Sequence, residues 1–237
     1  MKELTVYYCT DLNSKYGELL FYPFGKKAMT VMDVDKEANI LACPAFRDSY
    51  KNTFYFQSPK DMTITKNKEE LSWFLPEVDK GRDFEYVSTA VYPRTNRTFS
   101  IRYMNILFWC EENLEIEQLH PSLVDSELAA KTEVVSGKFN ISKWFREIDN
   151  AYQMRKDFES INIKRGEPLF FIRFHTDREI VFKRFSYTEE IQKLNKMCIK
   201  TKNVDSKFLS KIQNYYDLFL GQDMNKRVTK AVKEALL

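Results

Sequence analysis

Short runs of β-branched and aromatic residues, separated by turn-forming residues, fill the chain up to Phe185, and helical spacing fills the remainder. β-Branched and aromatic side chains pack well on a pleated, half-buried surface, so each run predicts a strand. Strands followed by helices are typical of an α+β protein, whereas a parallel α/β fold alternates the two. The pattern therefore predicts a mainly β protein, with a β-sandwich or jelly-roll-like core and a C-terminal helical appendage.

The change of period divides the 237 residues into 1–185, the β-sandwich core, and 186–237, the helical appendage. Strands are predicted at 4–9, 18–24, 28–34, 39–43, 52–57, 62–65, 87–92, 98–104 and 106–110. The strongest strand signal, 169–174, is expected to form a hairpin with 179–185, and 142–158 to be a short helix or an irregular surface segment. Three helices are expected around 189–198, 208–219 and 228–236, the first begun by a capping box of Ser186 and Glu189.

Charge is distributed unevenly, although the net charge is only +3. From Lys183 onward, twelve Lys and Arg face six Asp and Glu, so this part carries +6 and the preceding 182 residues carry −3. A basic tail is typical either of solvated helix faces or of contact with nucleic acid or an acidic partner. The residues that would form such a basic patch are Lys193, Lys196, Lys200, Lys226, Arg227 and Lys230.

The four cysteines, Cys9, Cys43, Cys110 and Cys198, are widely spaced, which excludes the paired CxxC motifs of zinc ribbons and thioredoxin-like sites. Each lies in an apolar neighbourhood, which predicts inert, packed thiols. No apolar run reaches the roughly 20 residues of a membrane helix, and the N-terminus lacks the apolar segment of a signal peptide. We therefore expect a cytoplasmic protein with reduced thiols and no membrane contact.

Most catalytic motifs are missing from the sequence. It contains neither GxGxxG nor GxxxxGK[ST], so the two common glycine-rich phosphate loops are excluded. It has only two histidines and no GxSxG, which argues against serine hydrolase chemistry. An acidic stretch, Glu111, Glu112, Glu115 and Glu117, predicts either a cation or acid–base site or simply a strand emerging into solvent.

One pattern points to a specific enzyme class. His175 and Asp177 in a β-rich chain resemble the first two ligands of the iron- and 2-oxoglutarate-dependent oxygenases. That family places its second histidine downstream, whereas the other histidine here, His120, lies upstream. One interpretation is a jelly-roll Fe(II) site completed by His120 or an acidic residue, and the other is an exposed polar turn. Outside the oxygenase interpretation, no cofactor is predicted.

Two segments carry a family resemblance: residues 43–54 (CPAFRDSYKNTF), followed by Ser58, Pro59 and Asp61, and residues 163–174 (IKRGEPLFFIRF). Together they resemble an uncharacterised family of all-β proteins of tailed bacteriophages and bacteria. The resemblance implies a phage origin and a β-sandwich, and it implies no activity, cofactor or catalytic residue. Both segments also have a structural explanation, since Gly166 and Pro168 are suited to a tight turn before a strand.

These observations favour a non-enzymatic, phage-type β-sandwich that binds another protein, as a virion component or a host-directed factor. The oxygenase built on His175 and Asp177 is the first alternative. Nucleic-acid binding through the basic helices is the second. A phage-encoded chain would be found in the host cytoplasm or in the virion.

Overall fold

A computed structural model describes residues 3–10, 24–34, 40–58, 61–66, 73–74, 91–93, 98–101, 106–148, 150–202, 214, 216–217, 219 and 223–237. The chain is mainly β, with several antiparallel sheets in a sandwich-like arrangement and short C-terminal helices. This confirms the predicted α+β class. The expected strand at 18–24 and most of the expected helix at 208–219 lie outside the described residues.

The strands are β1 Leu4–Cys9, β2 Thr53–Gln57, β3 Met62–Lys66, β4 Trp73–Phe74, β5 Val91–Pro93, β6 Thr98–Ile101, β7 Leu107–Trp109, β8 Glu115–Leu119, β9 Thr132–Val134, β10 Gly137–Asn140, β11 Ala151–Met154, β12 Ser160–Ile163, β13 Pro168–Phe174 and β14 Ile180–Arg184. The α-helices are α1 Pro44–Ser49, α2 Glu127–Lys131, α3 Glu189–Lys202 and α4 Met224–Glu234. Two 3-10 helices cover Ala28–Thr30 and Ile40–Ala42.

The first sheet, in the order β14-β1-β7, has a hydrophobic cluster on each face. Successive side chains of a strand point to opposite faces. Val6 and Tyr8 of β1 accordingly join the main core, and Tyr7 and Cys9 join a second cluster with the C-terminal helices. Strand β7 is buried on both faces. It ends the sheet, and residues 141–148 hydrogen-bond to its free edge at the flanking residues Ile106 and Cys110.

The second sheet, in the order β10-β8-β13-β2, closes the other side of the main core. Alternation again sorts its side chains, since Phe54 and Phe174 point into that core whereas Tyr55 and Phe171 point away from it. Two further sheets, β5-β6-β11-β9 and β12-β3-β4, complete the enclosure of the core with buried residues such as Ile64 and Tyr152.

A covering layer lies on the far side of each of the first two sheets. The helix layer, formed by α3 and α4, packs Ile191, Leu194, Val228 and Val232 against the β14-β1-β7 sheet, and all four are fully buried. The outer layer, formed by residues 28–34 and 40–52, covers Tyr55 and Phe171 of the second sheet. Burial of apolar area is what holds each layer to its sheet.

Several predicted elements were wrong in kind. Strands were expected at 28–34 and 39–43, but these segments contain 3-10 helices, and the predicted strand end at Pro44 is the first residue of α1. Proline fits there because the first helical N–H has no intrahelical partner. The expected helix or irregular segment at 142–158 is a buried connection followed by β11. The first C-terminal helix is capped by the Thr188 hydroxyl, which accepts from Ile191 N–H, and not by Ser186.

The expected hairpin of 169–174 with 179–185 was also wrong. Strand β13 pairs with β2 and β8, whereas β14 pairs in parallel with β1 in the other sheet. Residues 175–179 therefore cross from one sheet to the other. Both strands were predicted correctly from their local composition, but their pairing depends on contacts distant in sequence.

Candidate functional site

A cleft of about 500 Å³ lies at the edge of the outer layer, next to this crossover. Its walls come from the 3-10 helix at Ala28–Thr30, from α1 with the turn that follows it, and from the crossover. The lining residues are Lys27, Met29, Pro44, Arg47, Asp48, Tyr50, Lys51, Asn52, Asp177, Arg178 and Glu179. Six of these belong to residues 44–52, so one segment shapes most of the cleft.

Aromatic contacts anchor that segment to the sheet beneath it. The rings of Phe46 and Tyr50 lie 4.9 Å apart, and Tyr50 meets Phe171 edge-on at 6.4 Å. The guanidinium of Arg173 lies 6.0 Å from the centre of the Tyr50 ring. Helix α1 thus turns one side to the sheet and leaves its other side exposed.

Asn52 holds the crossover in place against this segment. Its side-chain amide donates to the carbonyl oxygens of Thr176, at 2.7 Å, and Arg178, at 2.9 Å. Its φ of 52° lies in the left-handed region, which asparagine tolerates better than most residues. Lys51 adds an ion pair at 3.3 Å with Asp177 across the cleft.

Apart from the residues that form ion pairs within the chain, the cleft is lined by equal numbers of positively and negatively charged side chains. Lys51 is paired with Asp177, and Arg178 donates to the carboxylate of Glu112 and to the Glu3 carbonyl oxygen. The other charged lining residues are Lys27, Arg47, Asp48 and Glu179. Within the described part of the chain, these four side chains have no ion-pair or hydrogen-bond partner. Two free cations and two free anions therefore share one surface.

An exposed apolar run adjoins the cleft. Residues 40–45, with the sequence ILACPA, are six consecutive exposed positions that end in α1. Ile40 is 39% exposed and Leu41 is 36% exposed. Single exposed apolar side chains such as Leu123, Val135 and Met197 are ordinary, but a run of four or more is unusual unless it has a function.

The three candidate metal ligands are held by separate partners. His120 Nε2 lies 3.1 Å from the Ala129 carbonyl oxygen, His175 Nε2 lies 3.2 Å from Glu117 Oε2, and Asp177 pairs with Lys51. The antiparallel β8–β13 ladder puts His120 beyond one end and His175 at the other, roughly 17 Å apart at about 3.4 Å per residue. Among the described residues, no three His, Cys, Asp or Glu side chains are grouped to hold a metal ion.

The acidic stretch after β7 is a set of separate ion pairs. Glu111 accepts from the Tyr7 hydroxyl at 3.0 Å and from Lys233 at 2.9 Å. Glu112 pairs with Arg178, Glu115 with Lys138, and Glu117 with Arg173 and His175. Burial, followed by the hydrogen bond to Glu111, raises the pKa of Tyr7 to about 12. Each carboxylate thus has its own cation, an arrangement typical of structural ion pairing.

Three of the four cysteines are buried, and one was predicted wrongly. Burial raises the pKa of the Cys110 thiol to about 11 and that of Cys198 to about 12, which makes both poor nucleophiles. Cys9 is also buried. Cys43, expected to be packed like the others, is exposed within the apolar run, because it directly precedes Pro44 on the outward side of α1.

The predicted basic patch divides into two sets. On α4, Lys226 pairs with Asp223, Arg227 with Glu190, and Lys230 with Glu234. On α3, Lys193, Lys196 and Lys200 are exposed along one helix and have no ion-pair partner in the described ranges. Acidic residues begin α3 and lysines follow toward its end, an order that complements the helix dipole without any ligand.

A second, wider cavity of about 620 Å³ lies between the end of β7 and α4. Trp109 Nε1 donates to Thr229 Oγ1 at 3.1 Å at its base, and the surrounding lysines of α4 are ion-paired. Its lysines and its tryptophan N–H thus already have partners within the chain. No helix in the described part of the chain is long and apolar enough to cross a membrane.

Comparison with known proteins gives no relative: no family model, curated protein or solved structure matches this chain. The two segments that carry the family resemblance meet in the structure, because β2, which begins at Thr53, pairs with β13 with one shift of register between Pro168 and Phe170. The turn around Gly166, whose φ is 89°, is tied to residue 58 by backbone bonds and to Asp61 by the Arg165 N–H, at 2.7 Å. One structural unit thus accounts for both segments.

Sequence reasoning missed the cleft and the apolar run. Residues 40–45 look like the end of a buried strand, since their composition gives no sign of exposure. The usable signals were Pro44, which is suited to a helix start, and Asn52, which is suited to a left-handed residue.

Proposed function

We propose that the chain functions as a non-enzymatic protein-binding module, whose binding surface is residues 40–52 together with the crossover 175–179. The observation that carries the proposal is the run of six consecutive exposed residues at 40–45, beside a cleft in which four charged side chains have no partner among the residues that the structure describes. Exposed apolar area rimmed by polar groups is typical of protein interaction sites.

The chemistry of the surface supports binding more than catalysis. Catalytic groups need mutual hydrogen-bonding geometry and matched pKa values, and the cleft contains neither of the histidines. Its aromatic and apolar members, Tyr50, Met29 and Pro44, provide packing area, and its charges provide orientation. The roles hypothesised from the sequence, a virion component or a host-directed factor, both depend on such contacts.

Site-specific photo-cross-linking tests this proposal. A photoreactive residue at Ala45 is expected to give a discrete adduct with another protein in cells that naturally express the chain. The same residue at Val135, which is 50% exposed on a different part of the surface, is the matched control. The adduct at position 45 should disappear when Leu41→Asp is added, because burying an unpaired carboxylate in an interface is strongly unfavourable.

Equal adducts from positions 45 and 135 would contradict the proposal, because they would show nonspecific contact. A discrete adduct that survives Leu41→Asp would likewise place the binding surface elsewhere. The mass of the adduct also identifies the kind of partner, which separates this proposal from the one that follows.

A further inference from the structure

The charges on the binding surface indicate which kind of partner it fits. Lys27 and Arg47 are free cations, and Asp48 and Glu179 are free anions within the described residues. An acidic partner would face both anions, and a basic partner would face both cations. Like charges brought together in an interface are strongly unfavourable, so a partner with one sign of charge is disfavoured.

A second copy of the same chain carries the complementary set without any further assumption. In a two-fold dimer the same patch meets itself, so the surface must be self-complementary. Within the described residues, the patch offers two free cations, two free anions and an apolar run, which are the groups that such a contact uses: cations to pair with anions of the other copy, and apolar area to pack against apolar area. Burial of the apolar run between the two copies removes apolar area from water, which is the main favourable contribution to association.

We infer that the surface formed by residues 40–52 and 175–179 is the interface of a two-fold symmetric homodimer. The inference rests on the proposed binding function and names its partner. Asn52 and the Lys51–Asp177 pair fix the crossover against α1, so the two halves of the surface are held together before association. Preorganisation of this kind lowers the entropy lost on binding.

Sedimentation velocity between about 1 µM and about 1 mM, the range of weak to moderate affinities, tests the inference. The wild-type chain is expected to shift from monomer to dimer with concentration. Leu41→Asp is expected to raise the dimer Kd at least about tenfold, the lower end for an unpaired buried charge, and the matched Val135→Asp to leave it unchanged. Unchanged circular dichroism of each variant shows that the fold is retained.

Charge reversal provides a second and more specific readout. One variant carries Lys27→Glu with Arg47→Glu, which makes the surface acidic, and the other carries Asp48→Lys with Glu179→Lys, which makes it basic. Each alone is expected to remain monomeric through self-repulsion, and an equal mixture is expected to form a heterodimer. Adding Leu41→Asp to both should abolish that heterodimer.

A wild-type chain that stays monomeric over the whole range would overturn the inference, and so would a dimer that resists both Leu41→Asp and the charge reversals. In either case, a position-45 adduct heavier than the chain by some other protein would leave the binding function intact with a different partner. An adduct of twice the chain mass supports both.

Discussion

The helix layer and the outer layer cover equivalent positions, each lying on the far side of a sheet that encloses the main core. The helix layer turns its apolar side chains inward, with Leu194 and Val228 fully buried, and ties itself to the sheet through the Lys233–Glu111 pair. The outer layer buries Phe46 only in part and leaves residues 40–45 exposed. The two layers thus differ in exposed apolar surface, since the helix layer packs its apolar side chains against the sheet and the outer layer leaves an apolar run at residues 40–45 exposed.

This difference distinguishes the helix layer, whose apolar surface stabilises the fold, from the outer layer, whose exposed surface is open to a binding partner. Residues that stabilise a sheet need only a buried side, and the exposed large apolar side chain of α3, Met197, stands singly on that helix rather than in a run. The outer layer carries apolar and charged groups beyond what its attachment requires.

The largest contrast is expected in thiol reactivity at low protein concentration. Cys43 in the outer layer should react with a maleimide at once, and Cys198 in the helix layer should react at least about a thousandfold more slowly. Reaction of a buried thiol requires an opening that costs several kcal/mol. Mass spectrometry of the labelled chain counts the sites, and Cys43→Ser should remove the fast phase. Fast reaction at Cys198 would contradict the packing of the helix layer.

A matched pair of leucine truncations should also differ between the layers. Leu194→Ala is expected to lower the free energy of unfolding by about 2–5 kcal/mol, because it leaves a cavity at a fully buried position. Leu41→Ala, at a position 36% exposed, is expected to lower it by less than about 1 kcal/mol. Urea denaturation of dilute protein measures both. Similar losses would mean that residue 41 is part of the core.

Alkaline pH should destabilise the chain, and groups packed in the cluster beneath the helix layer contribute to the effect. Burial raises the pKa of Cys198 from 9.0 to about 12 and that of Tyr7 from 10.0 to about 12, and it also raises the pKa of Tyr187. The unfolded chain releases these protons first, so stability falls as pH rises from about 9 to about 12, by up to about 1.4 kcal/mol per pH unit for each proton.

Tyr187→Phe removes one of these titrating groups and should make the decline above pH 10 shallower. Denaturant titrations of both proteins at a series of pH values provide the comparison. Stability that is constant up to pH 11 would show that these groups are not buried as described.

The smallest expected effect concerns Asn52. Asn52→Gly keeps the left-handed backbone but removes two hydrogen bonds, and should lower stability by about 1–2 kcal/mol. Asn52→Ala should lower it by roughly 1 kcal/mol more, because alanine is strained at that φ. If alanine were no worse than glycine, the left-handed conformation of residue 52 would be refuted.

Much of the fold could be predicted from local patterns. The β-branched and aromatic run of β1 and the apolar run of β13 identified strands, and the spacing of Val228 and Val232 identified α4, because each of these patterns follows from local burial. What failed depended on distant contacts. The β13–β14 hairpin was wrong because β14 pairs in parallel with β1, a choice that local sequence does not encode.

The candidate site could be predicted only in part. Residues 43–54 stood out as a motif, and they do form most of the cleft wall. Their exposure was missed because isoleucine, leucine and cysteine are usually buried. The composition of residues 40–45 is therefore equally compatible with a core strand and with an exposed binding surface. His175 and Asp177 stood out for their chemistry, yet their partners are Glu117 and Lys51.

The most direct test of the account is the labelling rate of Cys43 as a function of protein concentration, since this thiol lies within residues 40–45. If the surface binds a second copy, the rate should fall as the concentration passes the dimer Kd, and Leu41→Asp should restore the fast rate. A rate that is independent of concentration up to about 1 mM, with the thiol always open, would contradict the account.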